Sequence, residues 1–290
     1  MARWLAYWGA TLFVLLVSGC VAQSSPASTA TGAIAPAEAS AENSAASTEL
    51  SGEIIVFAAA SLTDAFGEIA TNFQAKHPDV QLVYNFAGSQ QLVQQLAQGA
   101  PADLFASANQ RQMELAMEAG RVISGTQQTF VHNRLVVIYP SDNPAGLITL
   151  HDLAKPGLKL VLAAPEVPVG GYSLDFLNKA SATIEYGSNY SETVLANVVS
   201  YEQNVRSVLS KVILGEADAG IVYTSDVTGD EADKVGQIEI PDELNTIADY
   251  PVAPIADSSN PILAEAFMEY LLSSKGQEVL AKHGFVPVGQ

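Results

Sequence analysis

From Leu50 to the C-terminus, short apolar runs alternate with segments in which apolar residues recur every three or four positions. Runs that short suit strands buried on both faces, and the intervening spacing puts an apolar stripe on one side of a helix. The alternation therefore calls for an α/β fold with mixed, mainly parallel sheets and flanking helices. Strands are expected at 54–58, 81–85, 104–106, 135–139, 160–163, 220–223, 237–240 and 250–255. The helix after Ser61 carries Leu62, Ala65, Phe66, Ile69, Ala70 and Phe73 on one stripe, with Ser61 and Asp64 as a variant capping box. Further helices are expected after Ser89, with Leu92, Val93 and Leu96 inward, from near Val169, and over 205–213 before Gly215.

The stretch from Leu50 to Gln290 is longer than one core usually organises, so two lobes are expected. Asn133-Arg134-Leu135 and Asp249-Tyr250-Pro251 are the candidate crossings. They divide the chain into a first lobe over 50–132, a second over 133–248, and a return to the first over 249–290, with a hinge between lobes. Ahead of them, residues 1–20 read as a secretory signal: Arg3, a mostly apolar run, then Ser18-Gly19-Cys20. Val17-Ser18-Gly19-Cys20 looks like a bacterial lipobox, with Cys20 as the lipidated residue. The alternative is an uncleaved membrane helix, and both readings put the remainder outside the cytoplasmic membrane. Residues 21–49, rich in Ala, Ser, Thr and Pro, read as a disordered tether.

Charge narrows the partners. The whole chain carries 31 acidic and 13 basic residues, a formal charge of -18, which can hardly supply the basic surface that nucleic acid requires. Removal of residues 1–20 takes away Arg3 and no acid, leaving 12 basic against 31 acidic residues, or -19. The single cysteine, Cys20, excludes an internal disulfide and a thiolate metal site.

Several segments share one local pattern, in which a strand or turn delivers the chain to a small or polar residue that opens a helix. They are Phe57-Ala58-Ala59-Ala60-Ser61, Asn85-Phe86-Ala87-Gly88-Ser89, Val167-Pro168-Val169-Gly170-Gly171-Tyr172 and Gln203-Asn204-Val205-Arg206. Unpaired backbone N–H groups and the positive end of the helix dipole can hold an anion there without a formal cation. The small residues Ala60, Ala87, Gly88 and Gly170 let backbone come close to a ligand. Tyr223, ending the run Ala219-Gly220-Ile221-Val222-Tyr223, adds a phenol that donates one hydrogen bond. Taken singly, each is as well read as a cap, a turn or a half-buried sheet residue.

In this order along one chain the segments resemble the molybdate- or tungstate-binding proteins of ABC importers, in the type II periplasmic-binding-protein class. The resemblance rests on Val56 to Thr63, Phe86-Ala87-Gly88-Ser89, Gly99 to Phe105, Pro165-Glu166-Val167-Pro168, Asn204-Val205-Arg206, Gly220-Ile221-Val222-Tyr223, Tyr250-Pro251-Val252 and His283-Gly284-Phe285. It spans residues 52–287 and implies a two-lobed fold. It also implies an oxyanion site made of Ser61 and Ser89, through hydroxyl and backbone N–H, the backbone N–H groups of Val169 and Val205, and the Tyr223 hydroxyl. Val169 stands where the family usually has Ala, and Gly171 also departs from its pattern. The ligand implied is molybdate or tungstate, with the metal held only within its oxyanion and no cofactor. The partner implied is a membrane permease of an ABC transporter, and the binding protein is expected to act as a monomer without enzymatic activity.

That donor set suits a tetrahedral dianion, which has no proton to give at neutral pH. Hydrogen phosphate would leave its own proton without an acceptor. Sulfate has the same charge and no proton, so a binder of another tetrahedral oxyanion is the leading alternative. An exported serine hydrolase is the other, but neither Ser61 nor Ser89 sits in a G-x-S-x-G elbow, and His77, His132, His151 and His283 are scattered and read as surface or hinge residues. Arg206, the one basic residue in these segments, reads as outward-facing on the first turn of its helix. The crossings themselves are expected to make no ligand contact.

Overall fold

Strand β1 (Gly52–Ala59) is buried from Val56 to Ala59 with no polar face to turn to water, so it belongs inside a sheet. A computed structural model describes residues 49–289 and gives it parallel neighbours on both sides. The proposed signal over 1–20, the Cys20 lipidation site and all but the last residue of the tether over 21–49 lie outside the described residues.

From β1 the chain runs through a 3-10 turn (Ala60–Leu62) into α1 (Thr63–Lys76), then β2 (Val80–Ala87), α2 (Ser89–Ala97), β3 (Leu104–Ala106), α3 (Gln110–Glu118) and β4 (Gln128–Asn133). It continues as β5 (Leu135–Pro140), β6 (Leu160–Ala163), α4 (Pro168–Ser181), α5 (Tyr190–Leu195), β7 (Val198–Glu202), α6 (Val205–Ile213), β8 (Ala219–Tyr223) and β9 (Val235–Glu239). The last elements are β10 (Ala248–Pro254), α7 (Pro261–Leu272), α8 (Ser274–Lys282) and β11 (Val286–Pro287). One sheet has the order β11-β4-β10-β3-β1-β2 and the other β7-β6-β8-β5-β9. In each, parallel pairs (β1 with β2 and β3, β6 with β7 and β8) adjoin antiparallel ones. The sheets are thus mixed but not mainly parallel as expected, because β4, β5, β9, β10 and β11 pair antiparallel where the chain crosses between the sheets and returns.

Helix α1 buries Ala65, Phe66, Ile69 and Phe73, the stripe its spacing predicts. Phe66 and Phe73 both meet Phe267 of α7 edge-on, at ring-centroid distances of 6.1 and 5.3 Å. Burial of three such rings anchors the C-terminal helices on the first sheet, since each aromatic contributes a large apolar area. The expected capping box is absent. Leu62 stands at the N-cap without a side-chain cap, because the Ser61 hydroxyl is engaged by Tyr250 and Asp64 by Arg206.

The chain passes from the first sheet to the second at a single residue, Arg134, between β4 and β5. It returns between β9 and β10, earlier than the composition of 249–251 suggests. Asp249, Tyr250 and Pro251 lie inside β10, which pairs with β4. The register slips between Tyr250 and Pro251, as expected where proline offers no N–H to the ladder. The two connections are fastened together by Asn245, whose side chain accepts from Leu135 N (3.1 Å) and donates to Leu135 O (2.9 Å).

Candidate functional site

The C-terminal ends of β1, β2, β6, β7 and β8 all point into one gap between the sheets, the usual ligand position in open α/β structures. β1 gives way to the Ala60–Leu62 turn, and β2 to Gly88 and then α2. β6 leads to α4, whose first residue is Pro168, and β7 to Asn204, which caps α6 by accepting from Ser207 N at 3.0 Å. Proline at the first helical position forgoes an N–H that would have no partner there, and Val169 follows it. Each of these starts leaves backbone donors that the helix itself cannot satisfy.

Ser61, Ser89, Val169, Val205 and Tyr223 together line a single small cavity. None is more than 4% exposed. No Lys, Arg, Asp, Glu or His is among the lining residues, so any field in the cavity comes from hydroxyls and from amides at helix starts. The lining includes no residue of Asn133–Leu135 or of Asp249–Pro251 among those described.

The hydroxyls are wired to donate. Ser89 Oγ accepts from Ala108 N at 3.0 Å, which leaves its own proton free. Tyr223 Oη is buried and, among the described residues, has no hydrogen-bond partner. Burial pushes the Tyr223 phenol well above its ordinary pKa, so it stays a protonated donor at any physiological pH. An unpaired buried hydroxyl costs about 1–3 kcal/mol, and an acceptor in the cavity would recover that.

Ala108 could not be read as part of this set, because its role is to donate a backbone N–H from the loop after β3, for which any non-proline residue serves. Two of the glycines expected to admit a ligand also make room for the chain itself, and of these Gly88 lines the cavity. A Cβ on Gly170 would sit 2.0 Å from Ala164 O, and one on Gly88 would sit 2.4 Å from Gln203 O. Gly88 and Gln203 lie on opposite sides of the gap, which is closed there by Gln90 Nε2 donating to Gln203 O (2.9 Å) and Gln91 Nε2 to Gln203 Oε1 (2.7 Å).

Arg206 does not face outward, nor does it line the cavity. Its guanidinium donates to Asp64 Oδ2 of α1 at 2.5 Å, across the gap. Its Nε lies 3.2 Å from Oδ1 of the fully buried Asp226, in an orientation that leaves neither atom hydrogen-bonded. Asp226 Oδ2 in turn accepts from Tyr223 N at 3.1 Å. Burial, which outweighs the attraction of Arg206, raises the Asp226 pKa to about 6.

Residues 54–286 match the family model described as bacterial extracellular solute-binding protein. The molybdate-binding proteins ModA of Mycobacterium bovis and Mycobacterium tuberculosis are each 35% identical over 285 residues, covering 98% of this chain and 98% of theirs. ModA of Escherichia coli is 35% identical over 240 residues, covering 81% of this chain and 89% of its own. A solved structure, the substrate-binding domain of a putative molybdenum ABC transporter from Clostridium difficile, is 33% identical and superposes with a TM-score of 0.61 over 81% of this chain and 99% of that one. With a family model spanning most of the described fold and relatives this similar over nearly their whole length, the chain belongs to the bacterial extracellular solute-binding proteins.

Proposed function

We propose that this protein captures molybdate, or its near-isosteric congener tungstate, outside the cytoplasmic membrane and delivers it to the permease of an ABC importer. The observation that carries the reading is the donor-only cavity. Ser61, Ser89 and Tyr223 offer hydroxyls, Val169 and Val205 lie in the first turns of α4 and α6, whose amides the helix itself does not satisfy, and no charged side chain lines the space. An anion bound to all five would bridge the first lobe, through Ser61 and Ser89, and the second, through Val169, Val205 and Tyr223, and so favour the closed form. The relatives named for molybdate binding support the choice of ligand. The lobe limits are those of the two sheets, the anchor is lipid on Cys20, and the protein works as a monomer.

Sulfate is the second reading, favoured by the same donor set. Binding of molybdate, tungstate, sulfate and phosphate, measured by titration calorimetry, separates the two. One molybdate or tungstate per chain is expected, with sulfate and phosphate at least a hundredfold weaker. Sulfate binding as tightly as molybdate would replace the first reading by the second. A hydrolase has no support in the site, since Ser61 Oγ meets a tyrosine and Ser89 Oγ a backbone amide, and no histidine lines the cavity.

Closure makes its own demand. Gly88→Ala would bring a methyl group against Gln203 O of the facing lobe and against the Gln90 side chain of its own. The flexible Gln90 can move aside, whereas the backbone clash arises when the lobes are shut. Molybdate affinity should fall at least tenfold, about 1.4 kcal/mol, while unfolding without ligand changes little. An unchanged dissociation constant would show that the lobes need not meet at Gly88.

A further inference from the structure

The Ser61 hydroxyl sits at the end of a hydrogen-bonded chain that begins at the connection between the sheets. Asn133 Oδ1 accepts from Arg134 N at 3.0 Å. A backbone N–H can only donate, so this contact fixes which end of the Asn133 amide is oxygen. The opposite end, Nδ2, then donates to Ser225 Oγ (2.8 Å) and to Tyr250 Oη (3.2 Å). Tyr250 Oη accepts there and has one proton to give. Of the hydroxyls around it, Tyr223 Oη and Ser61 Oγ, the second lies in hydrogen-bonding geometry at 2.9 Å and takes that proton. Ser61 Oγ thus accepts, and its own proton is left for the cavity. All of these groups are buried: Asn133 and Tyr250 are 0% exposed and Ser61 3%, so water does not compete for the order.

We propose that Tyr250, oriented by Asn133, is a specificity-determining positioning residue that holds Ser61 as a proton donor and thereby biases the site toward fully deprotonated oxyanions. The proposal rests on the oxyanion reading above. A serine free to rotate can either give a hydrogen bond or take one, and so could accommodate the proton of hydrogen phosphate. Once Ser61 Oγ receives a proton from Tyr250, its own proton is the one turned toward the cavity, so the hydroxyl meets a ligand oxygen as a donor. Tyr250 itself lies outside the cavity lining, and its ring is packed edge-on between Tyr223 (5.8 Å) and Phe285 (5.6 Å), contacts that a phenylalanine keeps.

The test is the ratio of dissociation constants for phosphate and molybdate at pH 8, where phosphate is the singly protonated dianion, in the unmodified protein, Tyr250→Phe, Ser61→Ala and the double variant. Tyr250→Phe should narrow the ratio about tenfold, because Ser61 becomes free to rotate and turn a lone pair to the ligand. Ser61→Ala should weaken both ligands and leave the ratio within about twofold of the unmodified protein. The double variant should match Ser61→Ala. A Tyr250→Phe protein that weakens both anions equally overturns the inference, since that is what a purely structural role produces. Unmodified protein that binds no oxyanion at all defeats the underlying reading instead, and the relay falls with it. On the unmodified protein, NMR provides a readout independent of any variant: the Tyr250 hydroxyl proton should be slow to exchange and show a cross-peak to the Ser61 β-protons. A slowly exchanging proton found on Ser61 Oγ and shared with Tyr250 Oη would reverse the polarity and refute the proposal.

Discussion

Molybdate at a thousand times its dissociation constant should raise the unfolding free energy by about 4 kcal/mol, a shift of roughly 10 °C for a body of this size. At that ratio the size of the shift follows from mass action. The affinity that makes the ratio easy to reach comes from groups already desolvated by the fold. Tyr223 Oη is buried and, among the described residues, without a partner, and the Ser61 and Ser89 hydroxyls are already held by Tyr250 and the Ala108 amide. Little remains to be ordered on binding, so little of the contact energy is lost to ordering. Hydrogen phosphate at the same concentration, bound at least a hundredfold more weakly, should give no more than about a third of the shift. Differential scanning calorimetry decides it, and a melting temperature indifferent to molybdate and tungstate alike would rule out the proposed function.

The largest effect of a single substitution is expected at Arg206→Met. Methionine keeps most of the side-chain volume and removes the charge that faces Asp226, which is 0% exposed. An ionised carboxylate left without its partner in such a place costs about 3–5 kcal/mol. The loss should depend on pH in a defined direction. The folded-state pKa of Asp226 lies above its ordinary value of 3.8, at about 6. Stability from its protonation is therefore fully present below pH 4 and lost as the pH rises through 6, at no more than about 1.4 kcal/mol per unit. Urea unfolding should find Arg206→Met severely destabilised at pH 7.5 and much less so at pH 5. Asp226→Asn added to it should restore most of the difference at pH 7.5. A loss below 1 kcal/mol, or one equal at both pH values, would mean that the pair is not buried as described.

How far the amino-acid order discloses such a structure differs element by element. The strands at 104–106, 135–139 and 160–163 are apolar throughout, and their limits were readable to within a residue. β4, with Gln128, Thr129, His132 and Asn133 beside Phe130 and Val131, gives no clear periodicity, since it borrows its order from β10 and β11 on either side. β7 alternates half-buried and exposed residues at the edge of its sheet, and β11 has only two residues. α7 is apolar at most positions, which hides a stripe instead of displaying one. In the site, Ser61, Ser89, Val169, Val205 and Tyr223 could be picked out because strand-to-helix junctions carry a local pattern, and they do meet at one cavity. Tyr250 could not, for its role depends on a contact with Ser61 across 189 positions of sequence. Arg206 was misread because helix spacing says which side of α6 it occupies but not that Asp64 and Asp226 wait on that side.

The lining of serine, alanine, valine and helix-start amides contains one titratable group, Tyr223, and burial drives its phenol further from neutrality. Across the range in which bacteria live, nothing in the cavity changes protonation. The lining therefore offers no protonation step for release. The nearest group that titrates in this range is Asp226, which stands behind Tyr223 and outside the cavity. Discharge must be mechanical, a prising apart of the sheets about Arg134 and the 240–247 connection, so that the Gln90 and Gln91 bonds to Gln203 and the Arg206 bond to Asp64 break first. The work of unloading then falls on whatever docks against the outside of the closed body, and a receptor of this design returns its cargo only to a partner able to pull.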